Sequence, residues 1–371
     1  MGSTSKLGVG VGNKLRVAHV GTGYTGSIAL RQILRSPHLE LVGHLVHSRE
    51  KVGRDSGELI GESAVGVAAA DNFEDFLALD ADCVSYFATV SGRDSNEVVD
   101  QVSAFLASGK NVVTPSYFAL FHPPSLDDAA REQLAGACRR GNSSLFAAGI
   151  APGFTSDILA VQAASMSELP AKVSVQERIP CGAYRVPGFF ATLGFGRTPE
   201  HDADVYPPGA MIEHIAPPLR LLAQGLGWTI DEIHEHRDVA LAKRHYSFDA
   251  GEIPPGTIAS VRMRFDGIVD GQPRVQFSSI WSMPDETVED WQPAIAAGST
   301  TRRLTRITVD GDPPVQVDFA LNGGDLPGSA ATAARVVNAI PAVCAANPGI
   351  LSALDLVVAA HGAPSRASSS V

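Results

Sequence analysis

The chain has 371 residues, with 29 Lys and Arg against 40 Asp and Glu and a formal net charge of −11. Its 44% hydrophobic and 19% charged content is that of an ordinary globular protein, and its length suits two hydrophobic cores better than one. An acidic chain with no basic run lacks the electrostatic footprint for nucleic acid or an anionic membrane, and no apolar run reaches the ~20 residues of a transmembrane helix.

Met1–Lys14 is rich in Gly and Ser and has no apolar signal core, so a loose N-terminal tail and a cytoplasmic protein are expected. The Ser-rich end, Ser365–Val371, is expected to fray as well. Cys83, Cys138, Cys181 and Cys344 form no C-x-x-C pair. That spacing fits inert buried thiols in a reducing compartment and no structural zinc.

Short apolar runs then alternate with helical patterns. Leu15–Val20 reads as a strand and Thr25–Leu34 as a helix. Leu39–Val46 and Asp82–Ala88 are further strands. Ser95–Ala107 is a helix with Val98, Val99, Val102, Phe105 and Leu106 on one face. Asn111–Thr114 is a strand, Ser125 with Asp128 three residues on opens a helix in the manner of a capping box, and Ser144–Ala148 is the last strand. Such alternation predicts a Rossmann-type, doubly wound parallel sheet.

The rhythm changes after Gly149. Residues 150–227 are rich in Gly and Pro and yield one helix, Pro217–Leu226, with its prolines at the start. Ser260–Val269 sets Val261, Met263 and Phe265 against Arg262 and Arg264, the alternation of a half-buried strand. Asp270–Gly271 is a turn, and Val275–Met283 is the returning strand. Leu304–Val309 and Val315–Leu321, with Asp310–Gly311 between them, make a second hairpin. These strands predict an α+β domain on a mostly antiparallel sheet, solvated on one face. Ser329–Ala346 is helical, broken or kinked at Pro341. The expected organisation is a tail over 1–14, a dinucleotide-binding domain over 15–150, a substrate and dimerisation domain over 151–328, a helix over 329–360 returning to the first domain, and a tail over 361–371.

The sharpest motif is Gly21-Thr22-Gly23-Tyr24-Thr25-Gly26, which follows an apolar strand and opens a helix. In that context Gly21 permits the tight turn, Gly23 the approach of a pyrophosphate, and Gly26 close packing of helix on strand. The helix N-terminus offers N–H groups and a positive dipole end to the phosphates. At the end of the second strand, where a carboxylate would bind a ribose 2′-hydroxyl, the chain reads His47, Ser48, Arg49, Glu50, Lys51. Ser48, Arg49 and Lys51 suit a 2′-phosphate, so NADP is the expected cofactor, with NAD possible. The competing reading is a solvated basic turn in which Glu50 neutralises Arg49. Ala88, Thr89 and Thr114, at the ends of later strands, complete the expected cofactor contacts. No metal is expected, because neither His44 with His47 nor His234 with His236 has suitable companions. A G-x-S-x-G hydrolase elbow is absent.

From this point the chain resembles the dihydrodipicolinate-reductase-like family that includes 2,4-diaminopentanoate dehydrogenase and the native amine dehydrogenases. The residues that carry the likeness are Lys51–Leu59 after the fingerprint, Gly149–Phe154 as a G-x-N-P-G-F hinge, Met211–Gly227, Gly256–Thr257, and Asn338–Pro341 through Pro348–Gly349. It runs over most of residues 15–360. The resemblance implies hydride transfer between NAD(P)H and a C=N or C=O carbon, reductive amination of small ketones or aldehydes, and a dimer with its active site in the cleft. It also implies a contact of Asn338 with the nicotinamide carboxamide; a kink-stabilising or capping asparagine is the alternative.

The chain departs from the family pattern at two places. The family carries a glutamate pair after the strand Asn111–Thr114, one of which activates ammonia; here Tyr117 and Phe118 stand there. Ala151 replaces the hinge asparagine. Tyr117 is thus the candidate proton donor, best served by a nearby cation, or else it lines an aromatic wall with Phe118 and Phe121. His122, Arg178 and His201 are weaker candidates, His122 reading more simply as a local cap. Tyr184, Phe189 and Phe195, in or near the aromatic, Gly-rich stretch 186–196, are expected with Phe118 in a substrate pocket, or else in core packing or a dimer contact. The readings left open are imine reduction, carbonyl reduction to an alcohol, and a dinucleotide-binding sensor without catalysis.

Overall fold

The computed structural model describes residues 14–88, 93–182, 187–201, 206, 209, 211–248, 251–283, 286, 288–291, 303–322 and 327–359; the side chains of 187–189, 201 and 289 are outside the description. The chain divides into two compact units, one of residues 1–150 with 329–371 and the other of residues 151–328.

The first unit contains β1 (Leu15–Val20), β2 (Leu39–Leu45), β3 (Ala69–Ala70), β4 (Cys83–Tyr86), β5 (Asn111–Thr114) and β6 (Ser144–Ala147), with α1 (Tyr24–Arg35), α2 (Phe73–Leu77), α3 (Ser95–Ala107) and α4 (Asp128–Gly141). The strands lie in the order β3-β2-β1-β4-β5-β6, all parallel, and a short C-terminal strand, Gly349–Leu351, extends the sheet beyond β6. Val17, Val84, Val112, Val113, Leu145 and Phe146 are fully or almost fully buried, as a parallel sheet covered on both faces requires. Strand order reverses between β1 and β4, the place where such sheets bind nucleotides.

The second unit holds α5 (Ile158–Ala164), β7 (Lys172–Pro180), α6 (Pro187–Thr192), α7 (Ile212–Gly225), β8 (Glu232–Leu241), β9 (Tyr246–Phe248), β10 (Gly251–Ile253), β11 (Ile258–Val269), β12 (Gln272–Ser282), β13 (Arg303–Asp310) and β14 (Val315–Leu321). Six strands form one sheet in the order β14-β13-β7-β12-β11-β8, and β9 pairs with β10 alone. Only β7 and β12 are parallel neighbours in that sheet; the other pairs are antiparallel. Asp270 and Gly271, at φ 50° and 71°, turn β11 into β12 with the left-handed backbone of a two-residue hairpin. The chain then returns to the first unit through α8 (Pro327–Ala345).

Several local expectations are corrected. The helix expected from Ser125 begins at Asp128, because the Asp127 carboxylate accepts from Ala130 N at 2.8 Å and is the stronger cap. Ser125 instead closes a single 3-10 turn, Pro123–Ser125. Pro217 and Pro218 lie inside α7, whose first turn starts five residues earlier; both are buried, so packing compensates for the missing N–H groups. Pro341 sits within α8 without ending it.

Strand β7, absent from the strands expected of the sequence, is central to the second sheet. Its inward positions are Val173, Val175, Glu177 and Ile179. Glu177 accepts from Arg303 Nη2 at 2.7 Å and from the Thr155 hydroxyl at 3.4 Å, and its side chain is only 3% exposed. Removing one partner of such a pair leaves a charge buried and uncompensated. Glu177→Ala is therefore expected to lower the stability of the second unit by about 3 kcal/mol, read by urea unfolding, with Glu177→Leu/Arg303→Met losing clearly less. Equal unfolding curves for wild type and Glu177→Ala would contradict this assignment.

Candidate active site

Strand β1 runs into the glycine loop and α1 leaves it. Gly21 has φ +96°, its N–H donates to Leu45 O at 3.0 Å, and a Cβ there would stand 2.8 Å from Phe87 O. A Cβ on Gly26 would stand 2.8 Å from Gly21 O. These two glycines let strand, loop and helix touch backbone to backbone. Gly23 differs: it is the N-cap of α1, extended at φ −68° and ψ 177°, and a Cβ there would meet nothing within 4 Å. No side chain caps α1 and its first turn holds no acidic residue. The space over Gly23 and the uncapped N–H groups fit a pyrophosphate. Thr22 and Thr25 are half-buried, and Tyr24 is exposed.

The turn after β2 is a single 3-10 turn, Arg49–Lys51. Lys51 Nζ donates to the Thr22 hydroxyl at 2.9 Å and so ties this turn to the glycine loop. Ser48 donates to Glu50 at 3.0 Å, and Arg49 is exposed with no ion pair among the described residues. Glu50 is thus engaged by Ser48 rather than by Arg49. His47 is exposed, and partial burial followed by the charge of Arg93 lowers its pKa. Arg93, missed in the sequence, donates to Tyr86 OH at 3.2 Å and lies 3.7 Å from Glu97. The signal available for it was a lone cation just before the Asp94 cap of α3.

A polar row crosses the sheet beneath the loop. Ser85, His19 and His44 face one another on β4, β1 and β2, and all are buried. His19 Nε2 is 2.8 Å from Gly21 O and its Nδ1 is 3.3 Å from Ser85 Oγ. His44 Nδ1 is 3.0 Å from Ser56 Oγ. Burial, then the neighbouring His44, pushes His19 down to about 3; burial, then Lys51, pushes His44 down to about 4. Both rings are neutral at neutral pH.

At the ends of the later strands, Ala88 is buried and Thr89 lies outside the described residues. Thr114 is buried; its hydroxyl accepts from Ser116 N at 3.0 Å and its carbonyl from Ala148 N at 2.9 Å. Tyr117 caps the 3-10 turn Phe118–Phe121 and packs half-buried on the core of the first unit. Burial and then the Asp127 carboxylate raise its pKa, so the nearby cation that would best serve a proton donor here is not what sets this phenol. Phe118 packs on Phe121 with ring centres 6.0 Å apart. His122 is buried, with Nδ1 2.7 Å from Ser125 Oγ, a local contact. Asn338 is half-buried in mid-helix and is not a cap; no described residue bonds its side chain.

Tyr184 and the side chains of Phe189 and His201 lie outside the described residues. Phe195 is a core side chain of the second unit, edge-on to Phe190 at 5.0 Å. Arg178 lies on β7, its pKa lowered by burial. A polar cavity of about 210 Å³ in the second unit is lined by Arg262, Arg264, Arg306 and neighbours, and these arginines pair with Asp238, Asp266 and Asp318. Among the described residues, no group of three His, Cys, Asp or Glu stands together as a metal site, and no helix is long and apolar enough to cross a membrane.

The 3-2-1-4-5-6 sheet with a glycine cradle at its reversal defines a Rossmann-type dinucleotide-binding protein. A family model described as the 2,4-diaminopentanoate dehydrogenase C-terminal domain matches residues 177–367. An amine dehydrogenase of Streptomyces virginiae is 30% identical over 344 residues, covering 91% of this chain and 94% of the relative. A 2,4-diaminopentanoate dehydrogenase of Acetoanaerobium sticklandii is 21% identical over 358 residues, covering 93% and 94%. The solved amine dehydrogenase of Mycobacterium smegmatis shares the fold, with a TM-score of 0.71 at 21% identity over 92% of this chain and 96% of that one. The chain belongs to the family of 2,4-diaminopentanoate dehydrogenase and the amine dehydrogenases, and it is an NAD(P)-dependent oxidoreductase acting on a small molecule.

Because Gly23 has open space above it, Gly23→Ala is expected to melt within a few degrees of wild type yet bind a nicotinamide dinucleotide at least about tenfold more weakly. Titration of NADH and NADPH by fluorescence, beside a thermal melt, reads both quantities. Unchanged affinity would remove Gly23 from the pyrophosphate site.

Proposed function

We propose that the protein is an NADPH-preferring amine dehydrogenase that reduces the C=N formed from a small ketone or aldehyde and ammonia. The observation that carries this reading is the relation to the S. virginiae amine dehydrogenase at 30% identity, which spans 91% of the chain. Bound dinucleotide supplies the hydride. The backbone N–H groups of Gly21–Gly26 hold the pyrophosphate. His47, Ser48, Arg49 and Lys51 receive the adenosine 2′-phosphate, for which guanidinium and ammonium groups are suited. Ala88, Thr89, Thr114 and Asn338 serve the nicotinamide end, and Phe118 offers apolar surface to the substrate.

Tyr117 is the proposed proton donor. Burial and Asp127 hold it as a neutral phenol through the physiological range. A neutral phenol can protonate the departing carbinolamine oxygen on the way to the imine. Tyr117→Phe is then expected to lower kcat about 100-fold while leaving dinucleotide affinity unchanged. The pH profile of the wild type should show no loss of this acid below the ordinary phenol value of 10.0. Wild-type kcat in the Tyr117→Phe enzyme would strike this side chain from the mechanism.

A second reading, reduction of a carbonyl to an alcohol, is favoured by Tyr117 and Phe118 just after β5, since neither can take a proton from ammonium. NADPH oxidation over a panel of small ketones and aldehydes, with and without ammonium at alkaline pH and repeated with NADH, separates the two. A requirement for ammonium supports the amine dehydrogenase. Turnover indifferent to ammonium overturns it in favour of the carbonyl reductase, and tight NADPH binding without turnover overturns both.

A further inference from the structure

We infer that His19, a buried side chain that touches no solvent, is a positioning residue for the dinucleotide. It fixes the peptide between Gly21 and Thr22 so that the Thr22 N–H faces the phosphate side of the loop. Gly21 O can only accept, so the 2.8 Å contact requires a proton on His19 Nε2. The neutral ring then carries a lone pair at Nδ1, which accepts from the Ser85 hydroxyl 3.3 Å away. Neutrality follows from burial, which holds the ring far below its usual titration range.

The neighbouring ring takes the other tautomer. Ser56 donates its hydroxyl proton to Val67 O at 2.7 Å, so its oxygen accepts from His44 Nδ1 at 3.0 Å. His44 Nε2 is left as a buried lone pair with no hydrogen-bond partner. Ser85, His19, His44 and Ser56 thus form one buried polar layer under the glycine loop, each 0% or 1% exposed.

The consequence for the loop follows from the peptide plane. In a trans peptide the C=O and the following N–H point in opposite directions. His19 draws Gly21 C=O inward, where Gly26 packs against the same oxygen. The Thr22 N–H is therefore turned outward. With an apolar residue at 19, the Gly21 carbonyl would be buried without this donor, and a flipped or wavering peptide would aim the N–H elsewhere. Burying an imidazole costs free energy, and packing alone does not explain it: the ring stands 5.7 Å from Phe87 and 5.4 Å from His44, a place another aromatic ring would fill.

The inference rests on dinucleotide binding at the glycine loop and not on the reaction run there. Its test is dissociation constants for NADPH and NADH, measured by fluorescence titration on wild type, His19→Phe and His19→Gln, with far-UV circular dichroism and a thermal melt on each. His19→Phe keeps the ring and loses the donor; it is expected to bind about tenfold more weakly. His19→Gln offers an amide N–H in place of Nε2–H and is expected to recover most of that loss, which a purely space-filling role would not produce. Wild-type affinity in a folded His19→Phe, or an equal loss in His19→Gln, overturns the positioning role. If wild type binds neither dinucleotide, the glycine-loop assignment falls with it. Should His19→Phe fail to fold, long-range ¹⁵N–¹H correlation on the wild-type imidazoles decides instead: a His19 ring protonated at Nε2 alone supports the inference, and a ring protonated at Nδ1 or at both nitrogens overturns it.

Discussion

The first unit depends on one close approach: the backbone of Gly21 lies against Phe87 on one side and Gly26 on the other. At both glycines a single Cβ would come within 2.8 Å of a carbonyl oxygen. That contact brings α1 down onto β1 and β4 at the reversal of strand order, and it aims the helix N-terminus out of the sheet's carboxyl edge. Gly23, two residues on from Gly21, has empty space where its neighbours have backbone. Tight packing at 21 and 26 and openness at 23 are the two features by which the loop fits a phosphate. The tie from Lys51 to Thr22 extends it to the turn that follows β2.

Burial, more than charge pairing, sets the chemistry of the side chains around this cradle. It holds His19 and His44 neutral, so that His19 can donate from one nitrogen and accept at the other while His44 donates to Ser56. It also keeps Tyr117 a phenol, with Asp127 acting in the same direction. Charge does different work at the edge of the site, where Arg49 and Lys51 follow β2 and Arg93 precedes α3. In the second unit, charge is used structurally: Glu177 and Arg303 lock β7 to β13, and Arg306 grips Asp318 through two bonds of 2.7 Å.

Much of this was legible in the sequence because its causes are local. The β1 limits follow from an apolar run ended by a glycine, and the β11–β12 hairpin from alternation ended by Asp-Gly. What escaped has causes that are not local. Strand β7 carries an inward Glu177 whose partner is 126 residues away, so its pattern does not read as apolar alternation. The strand Gly349–Leu351 has three residues and exists because β6 offers an edge. The cap of α4 fell to Asp127 rather than Ser125, two residues apart in the chain and barely separated by propensity. In the site, the glycine loop was plain, whereas His19 reads as an oddity within a strand until β2 and β4 place His44 and Ser85 beside it. Arg93 is invisible until β4 and β2 are known to flank β1. The influence of Asp127 on Tyr117 was not legible because that carboxylate lies ten residues on, across two 3-10 turns.

The central claim, that hydride passes from a nicotinamide dinucleotide to a carbon bonded to nitrogen, is tested most directly by isotope transfer. NADPH deuterated at the transferring position of its nicotinamide ring would be incubated with the protein, ammonium and a ketone that supports turnover, and the product analysed by mass spectrometry. The account predicts an amine carrying one deuterium on the carbon that bears nitrogen. Deuterium found only in an alcohol, or in no product at all, would contradict it.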